Sequence, residues 1–211
     1  MFSLLLLAST ALAWEGQPGL WLPGATPLGQ GDGRAGIGVH WDNNSSAERV
    51  FLQGVVGATP HLAINAAGYA GGGVADMGLG LRYTVLNKQG FALAPFSQFE
   101  FGQGYTDTYL GLAGAFYGDG ATLDGSLTLI QASTHGGDGS LVLPPHALKW
   151  FEAGVSFRPA RRQELRLGAL NQERFQATVT YRWRGDWWYV EPSVLWWPGD
   201  ISARLHAGVR F

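Results

Sequence analysis

Cysteine is absent from the 211 residues, so no disulfide framework supports the fold. Charged side chains are scarce at 14%, against the ~25% of a typical soluble domain. The net charge of −2 is too small to imply nucleic acid or an acidic membrane surface as a partner. Long apolar runs are missing as well. The stretch around Leu4–Ala8 falls short of the ~20 residues a spanning helix needs, and nothing later approaches that length, which excludes helical membrane topology. No segment reads as a linker or a second domain.

What the chain has in quantity is glycine, 32 residues, and aromatic side chains, 13%. The mean hydropathy of +0.01 suits a chain that averages apolar outward residues with polar inward ones. The segment from Ile201 to Phe211 alternates without error. Ile201, Ala203, Leu205, Ala207, Val209 and Phe211 share one face, and Ser202, Arg204, His206, Gly208 and Arg210 the other. A period of two is that of a strand with one apolar side, in a soluble sandwich or in a barrel. Candidate strands punctuated by Gly, Asp, Asn and Pro fall near 34–41, 49–58, 61–70, 74–87, 90–103, 107–118, 121–132, 147–158, 162–170, 173–184, 186–197 and 201–211. Their glycines and β-branched residues argue against helix.

A terminal strand closing on an aromatic resembles the last strand of bacterial outer-membrane β-barrels, whose terminal Phe or Tyr is read by the assembly machinery. Val55 to Ile64 and Asp76 to Tyr83 are similar in rhythm to a hairpin and strand of small proteobacterial barrels of the porin or transporter kind. The resemblance is one of architecture, and no functional residue carries over. It implies an all-β, transmembrane, antiparallel up-and-down barrel of about twelve strands, with ten as the alternative count. It also implies a Gram-negative outer membrane, its lipids, and the assembly machinery, engaged through Phe211, as partners. The other end agrees. Leu4-Leu5-Leu6-Leu7-Ala8 followed by Ala11-Leu12-Ala13 fits a secretory signal peptide, although Met1-Phe2-Ser3 brings no basic residue. The expected organisation is a cleaved signal over 1–13, an irregular periplasmic segment over 14–33, and the barrel over 34–211.

Connections and tryptophans test this reading. The tight connections Thr59-Pro60, Asn87-Lys88-Gln89, Gly118-Asp119-Gly120, Pro159-Ala160-Arg161 and Gly185 follow even-numbered strands. The longer ones, 42–48 and 133–146, follow odd-numbered strands. Short periplasmic turns and longer external loops are the barrel pattern. Trp188 and Trp196 share parity and bracket a span of roughly 20 Å, close to the ~25 Å apolar band of such barrels. Trp183, Trp187, Trp188 and Phe211 are expected at one membrane interface, and Trp196 and Trp197 at the other. Pro95 and Pro192 cannot donate to a ladder and should mark bulges or shifted strand ends.

If the apolar parity faces lipid, the lumen receives Arg82, Glu100, Asp124, Glu152, Arg158, Arg166, Arg182, Glu191, Arg204 and Arg210, with His61 among the polar residues beside them. A basic arc facing acidic groups would select solutes by charge. Arg–carboxylate pairs that simply neutralise one another are the competing reading. Strand-interior glycines such as Gly36, Gly38, Gly78, Gly80, Gly154 and Gly208 would leave space for a narrow water-filled passage. The function expected is a narrow porin-like channel passing small hydrophilic solutes, with anion preference. The alternative is a non-conducting structural or interaction barrel acting through the loop at 133–146. No catalytic residue, metal site or cofactor is assigned. Ser202 and His206 lie ~13 Å apart along one strand, too far to couple, and the five histidines lack metal-ligand spacing.

Overall fold

The computed structural model describes residues 28–42, 49–71, 74–88, 90–102, 104–117, 120–135, 151–172 and 174–211. The expected signal segment, most of the expected 14–33 segment and the bulk of the expected 133–146 loop lie outside the described residues. The strands are β1 (Gly33–Asp42), β2 (Arg49–Gly57), β3 (Leu62–Gly71), β4 (Val74–Tyr83), β5 (Leu86–Lys88), β6 (Phe91–Gly102), β7 (Tyr105–Tyr117), β8 (Ala121–His135), β9 (Phe151–Ala160), β10 (Gln163–Gln172), β11 (Arg174–Arg184), β12 (Trp188–Trp197) and β13 (Asp200–Arg210). Apart from β4 and β5, which do not pair with each other, each strand pairs antiparallel with its sequence neighbours; β4 and β5 both pair with β6, and β1 pairs with β13. The sheet is therefore closed. Because β5 continues β4 after a break, the wall is a twelve-strand up-and-down barrel with no edge left to template aggregation.

Alternation dictates which way each side chain points, and here the usual distribution is inverted. Leu52, Met77 and Val179 face outward at 59%, 63% and 48% exposure, whereas Glu100, Asp76 and Arg166 face inward at 0%, 1% and 3%. Gly33 and Phe211 exchange backbone hydrogen bonds (2.8 and 3.1 Å) and close the β1–β13 seam at what we term the near end. The turns after β3's predecessor and after β5, β7, β9 and β11 lie at this end. In the first of them, Thr59 Oγ1 accepts from the amides of His61 and Leu62 at 3.2 and 3.0 Å. Gly90 and Gly120 supply positive φ (75° and 81°) for two others.

Several boundaries differ from expectation. Asn87 and Lys88, expected as a turn, belong to β5, and the strand expected from residue 107 starts at Tyr105. Ser133 and His135, expected in a loop, are the end of β8. At the far end, the connections Gly71–Val74, Gly102–Tyr105, Gln172–Arg174 and Trp197–Asp200 are as short as those at the near end. The length asymmetry thus rests on only two connections, Asp42 to Arg49 and His135 to Phe151.

The two prolines behave differently. Four steps along β4–β5, Arg82 to Leu86, match three along β6, Phe96 to Leu93. Pro95 sits within this bulge, where a missing N–H costs no ladder bond. Pro192 sits at no bulge. The β11–β12 register holds from Thr180↔Ser193 to Trp183↔Val190, and the ladder simply skips the two positions between. Side chains bridge that gap, because Arg182 and Glu191 pair across it.

Candidate functional site in the charged interior

On the β8–β12 wall, arginines lie flat and bind carboxylates. Arg166 on β10 donates through Nη1 to Asp124 Oδ2 on β8 (2.6 Å) and to Ser156 Oγ on β9 (3.4 Å). It reaches across β9 because Gly154 lies beneath its guanidinium. A Cβ there would stand 2.5 Å from Nη2. Arg182 on β11 donates from Nε to Glu191 Oε2 on β12 (2.5 Å) and from Nη1 to Glu164 Oε1 on β10 (3.3 Å). Thr180 and Ser193 add a hydroxyl pair at 3.0 Å. Charges of both signs are interleaved and consumed locally.

The β13–β1–β2 wall is organised otherwise. His40 stands in register with Arg204 on one side and Arg49 on the other, and all three are buried. Nearer the near end, the His206 ring lies 5.2 Å from Phe51, stacked, and 5.3 Å from Tyr189. These rings fit because the wall beneath them is glycine. A Cβ on Gly38 would meet Phe51 Cζ at 2.2 Å, one on Gly36 would meet His206 Nε2 at 2.5 Å, and one on Gly208 would meet the Tyr189 hydroxyl at 2.4 Å. Arg34 and Arg210 face each other in register at the near-end mouth, Arg34 half-buried and Arg210 exposed.

A third sector, on β4, β6 and β7, carries acid. Glu100 is in register with Asp107, and Asp76 lies on neighbouring β4. The Tyr109 hydroxyl stands 3.4 Å from Glu100 Oε2 and 3.3 Å from Asp107 Oδ2, and Gln98 Nε2 donates to Glu100 Oε1 at 3.0 Å. A single hydroxyl proton serves one of those carboxylates at a time.

Of the expected lumen residues, Arg82, Glu100, Asp124, Arg166, Arg182, Glu191 and Arg204 are buried inside. Arg158 and Arg210 are exposed at the near end of inward-facing positions, and Glu152 lies on β9 in register with Ser126 and Leu170. His61 does not line the lumen; it is exposed in the near-end turn, its ring 6.1 Å from outward Tyr83. Trp183, Trp188 and Phe211 are partly exposed on the outer face at the near end, and Trp196 at the far end. Trp197, expected beside Trp196 at the interface, instead points inward and is buried, because adjacent strand residues take opposite faces. The inward side chains that the sequence did not reveal include Glu164, Asp107, Arg49, Leu195 and the rings of Phe51, Phe96, Tyr109 and Tyr189. A signal for three of these rings does exist, since each has glycine opposite in register: Gly38↔Phe51, Phe96↔Gly111 and Tyr189↔Gly208. The space expected from inward glycines is thus largely occupied by the neighbour across the ladder, with Gly78, whose nearest neighbour would be 3.7 Å away, as an exception. Among the described residues no three His, Asp or Glu side chains form a metal-ligating group.

In sequence the chain matches no family model and no curated protein. In structure it is similar to outer-membrane porins and channels. The KdgM porin superposes with a TM-score of 0.66 at 9% identity, covering 84% of this chain and 99% of that one. The NanC porin gives 0.62 at 8% identity, over 84% and 100%. An outer-membrane channel from Pseudomonas putida F1 gives 0.55 at 10% identity, over 89% and 98%. At these identities the likeness is one of fold: the chain has the closed twelve-strand barrel of outer-membrane porins.

Proposed function

We propose that the chain is a narrow channel of a bacterial outer membrane, passing small hydrophilic solutes with a preference for anions. The observation that carries this is the inverted burial. A surface of exposed Leu, Val, Met and Phe is matched to hydrocarbon rather than water, and a closed interior of ionisable groups has no packing purpose that apolar side chains would not serve better. Aromatic side chains at both ends of the outer face, with aliphatic ones between, fit the interfacial belts of such barrels. The near end then faces the periplasm. Anion preference cannot come from Arg166 and Arg182, whose charge is met by Asp124, Glu164 and Glu191. What supports it is the near-end mouth, where Arg34, Arg158, Arg184 and Arg210 outnumber the Glu164 carboxylate within reach of the first three.

A second reading has its own support. Side chains such as Glu100, Asp76 and Tyr109 are almost wholly buried, as in a barrel filled by its own residues and acting as a structural or interaction body. Purified protein in planar bilayers separates the two. Discrete current steps with an anion-leaning reversal potential support the channel, and a silent bilayer supports the filled barrel. The KdgM porin has been determined in complex with oligogalacturonate, so that solute, set against a neutral oligosaccharide in the same bilayer, is a first test of substrate class.

A further inference from the structure

We infer that the segment 14–27 folds back through the near end into the barrel and lies along the inner face of β2, β3 and β4, so that the chain's own N-terminal residues occupy part of the lumen. This goes beyond the channel reading and holds for a conducting or a filled barrel. The observation that carries it is the course of the chain just before β1. Asp32 N donates to Gly29 O at 3.0 Å, and Gly31, the third residue of this turn, takes φ 84°. That is a reversing β-turn with glycine where positive φ is required. Gly31 N donates to Gly57 O (2.8 Å) and Gly57 N to Asp32 O (2.9 Å), which fixes the turn at the near-end rim of β2. Traced backwards from the turn, the chain enters the barrel. Gly29 lies over Gly57, where a Cβ would strike the Gly29 carbonyl and stand 3.0 Å from Leu28 Cβ. Leu28 packs on Val55 and Ala63, both buried and both of inward parity. A segment leaving for the periplasm would need neither the reversal nor an apolar foothold inside the wall.

The wall ahead of Leu28 leaves a path. Ala67 lies four residues deeper than Ala63 on β3, ~13 Å further in, and stands in register with Gly78 on β4. That stretch of inner face carries nothing larger than a methyl group, and a Cβ on Gly78 would find its nearest neighbour 3.7 Å away. Beyond β4, Ala92, Ala94, Phe96 and Ala113 make the near-end inner face of β6 and β7 apolar. The segment matches such a lining. Glu15 is the one charged residue of 14–27, and Leu20, Trp21 and Leu22 form an apolar run whose burial against the wall removes both from water. Length is sufficient as well. Extended, 14–27 reaches roughly 45 Å, further than the ~33 Å of a strand such as β1.

The test is chemical linking of the full chain folded in lipid vesicles, in a protein that has no cysteine of its own. Ala25→Cys is combined with one of three wall variants and treated with a short bismaleimide, and linked peptides are read by mass spectrometry. Ala67→Cys faces inward, Ala66→Cys sits at the same depth on the outer face, and His61→Cys is exposed in the near-end turn. Linking to Ala67→Cys should exceed linking to Ala66→Cys about tenfold, because only the inner face is within the linker's span. Leu28→Asp puts a charge against Val55 and Ala63 and should shift the product from Ala67→Cys to His61→Cys, with heat-modifiable gel mobility confirming that the barrel still forms. More product with His61→Cys than with Ala67→Cys in the chain that keeps Leu28, or equal product at Ala66→Cys and Ala67→Cys, would overturn this inference, and a pattern unmoved by Leu28→Asp would overturn the anchoring by Leu28. In planar bilayers the Ala25→Cys/Ala67→Cys protein should carry the same unitary current before and after linking, since the segment already lies there. A fall in current on linking would show that it normally lies elsewhere and would overturn the inference too. A silent bilayer would remove the channel reading alone, because the linking pattern needs no current.

Discussion

Two walls of the same barrel use arginine in opposite ways. On β8–β12, Arg166 and Arg182 each find carboxylates one or two strands away and act as struts along the wall. On β13–β1–β2, Arg204, His40 and Arg49 lie side by side, and aromatic rings over glycine fill the space below them. The residue type is the same and the parity is the same. What differs is the residue in register: a carboxylate within one or two strands for Arg166 and Arg182, and another basic side chain for Arg204 and Arg49.

The largest effect should come from breaking a strut. Asp124→Asn leaves the Arg166 guanidinium buried without its counter-charge, at a cost of about 3–5 kcal/mol. Arg204→Gln on the other wall removes a charge from beside other basic groups and should cost far less. Denaturant titrations in lipid vesicles measure both. Equal losses would show that the two walls do not differ in the way described.

Outside, the walls should behave alike. Val179→Arg on β11 and Leu205→Arg on β13 each put a charge on the outward face near mid-strand, and each should cost about 2–4 kcal/mol in the same titration. A marked difference between them would mean that the contrast is not confined to the interior. Thr180, one residue from Val179, is a poorer control than its inward parity suggests, because it is nearly sealed and bonded to Ser193.

The glycine floor separates the walls on a smaller scale. Gly38→Ala drives a methyl group into the Phe51 ring and should destabilise by about 1–3 kcal/mol through overpacking. Gly78→Ala on β4, with its nearest neighbour 3.7 Å away, should fall well below that. Thermal unfolding followed by heat-modifiable gel mobility ranks the two. A Gly78→Ala loss as large as that of Gly38→Ala would contradict the filled-floor description.

Most of the barrel was legible because its information is local. Alternation over Phe175–Trp183 or Ile201–Phe211 needs no knowledge of neighbours, and both strands appear where their pattern places them. The strand break at Thr84–Val85 was not legible, since it follows from Pro95 on the next strand rather than from the residues that break. Individual inward residues could be named for the same local reason, but their roles could not. Arg166 and Arg204 look alike in sequence; only the register shows that one meets Asp124 across Gly154 while the other meets His40. Polarity does not reveal inward aromatics, since a Phe51 facing the interior carries no polar mark. Trp197 belongs to the interior rather than beside Trp196 at the interface, because a strand cannot show two successive side chains to the same face.

The smallest expected effect is the most pointed. Arg34 and Arg210 stand in register across the β1–β13 seam, with Arg210 exposed and Arg34 also within reach of Glu191 and Glu164, so their mutual repulsion contributes little to the fold. Arg34→Gln/Arg210→Gln keeps the length and much of the hydrogen-bonding capacity of both side chains while removing the repulsion. Stability in lipid vesicles should then stay level or rise by about 0.2–1 kcal/mol, opposite in sign to the loss from Asp124→Asn. A loss of several kcal/mol would make this pair a structural element like those of β8–β12 and would erase the distinction between the two walls at the point where it is sharpest.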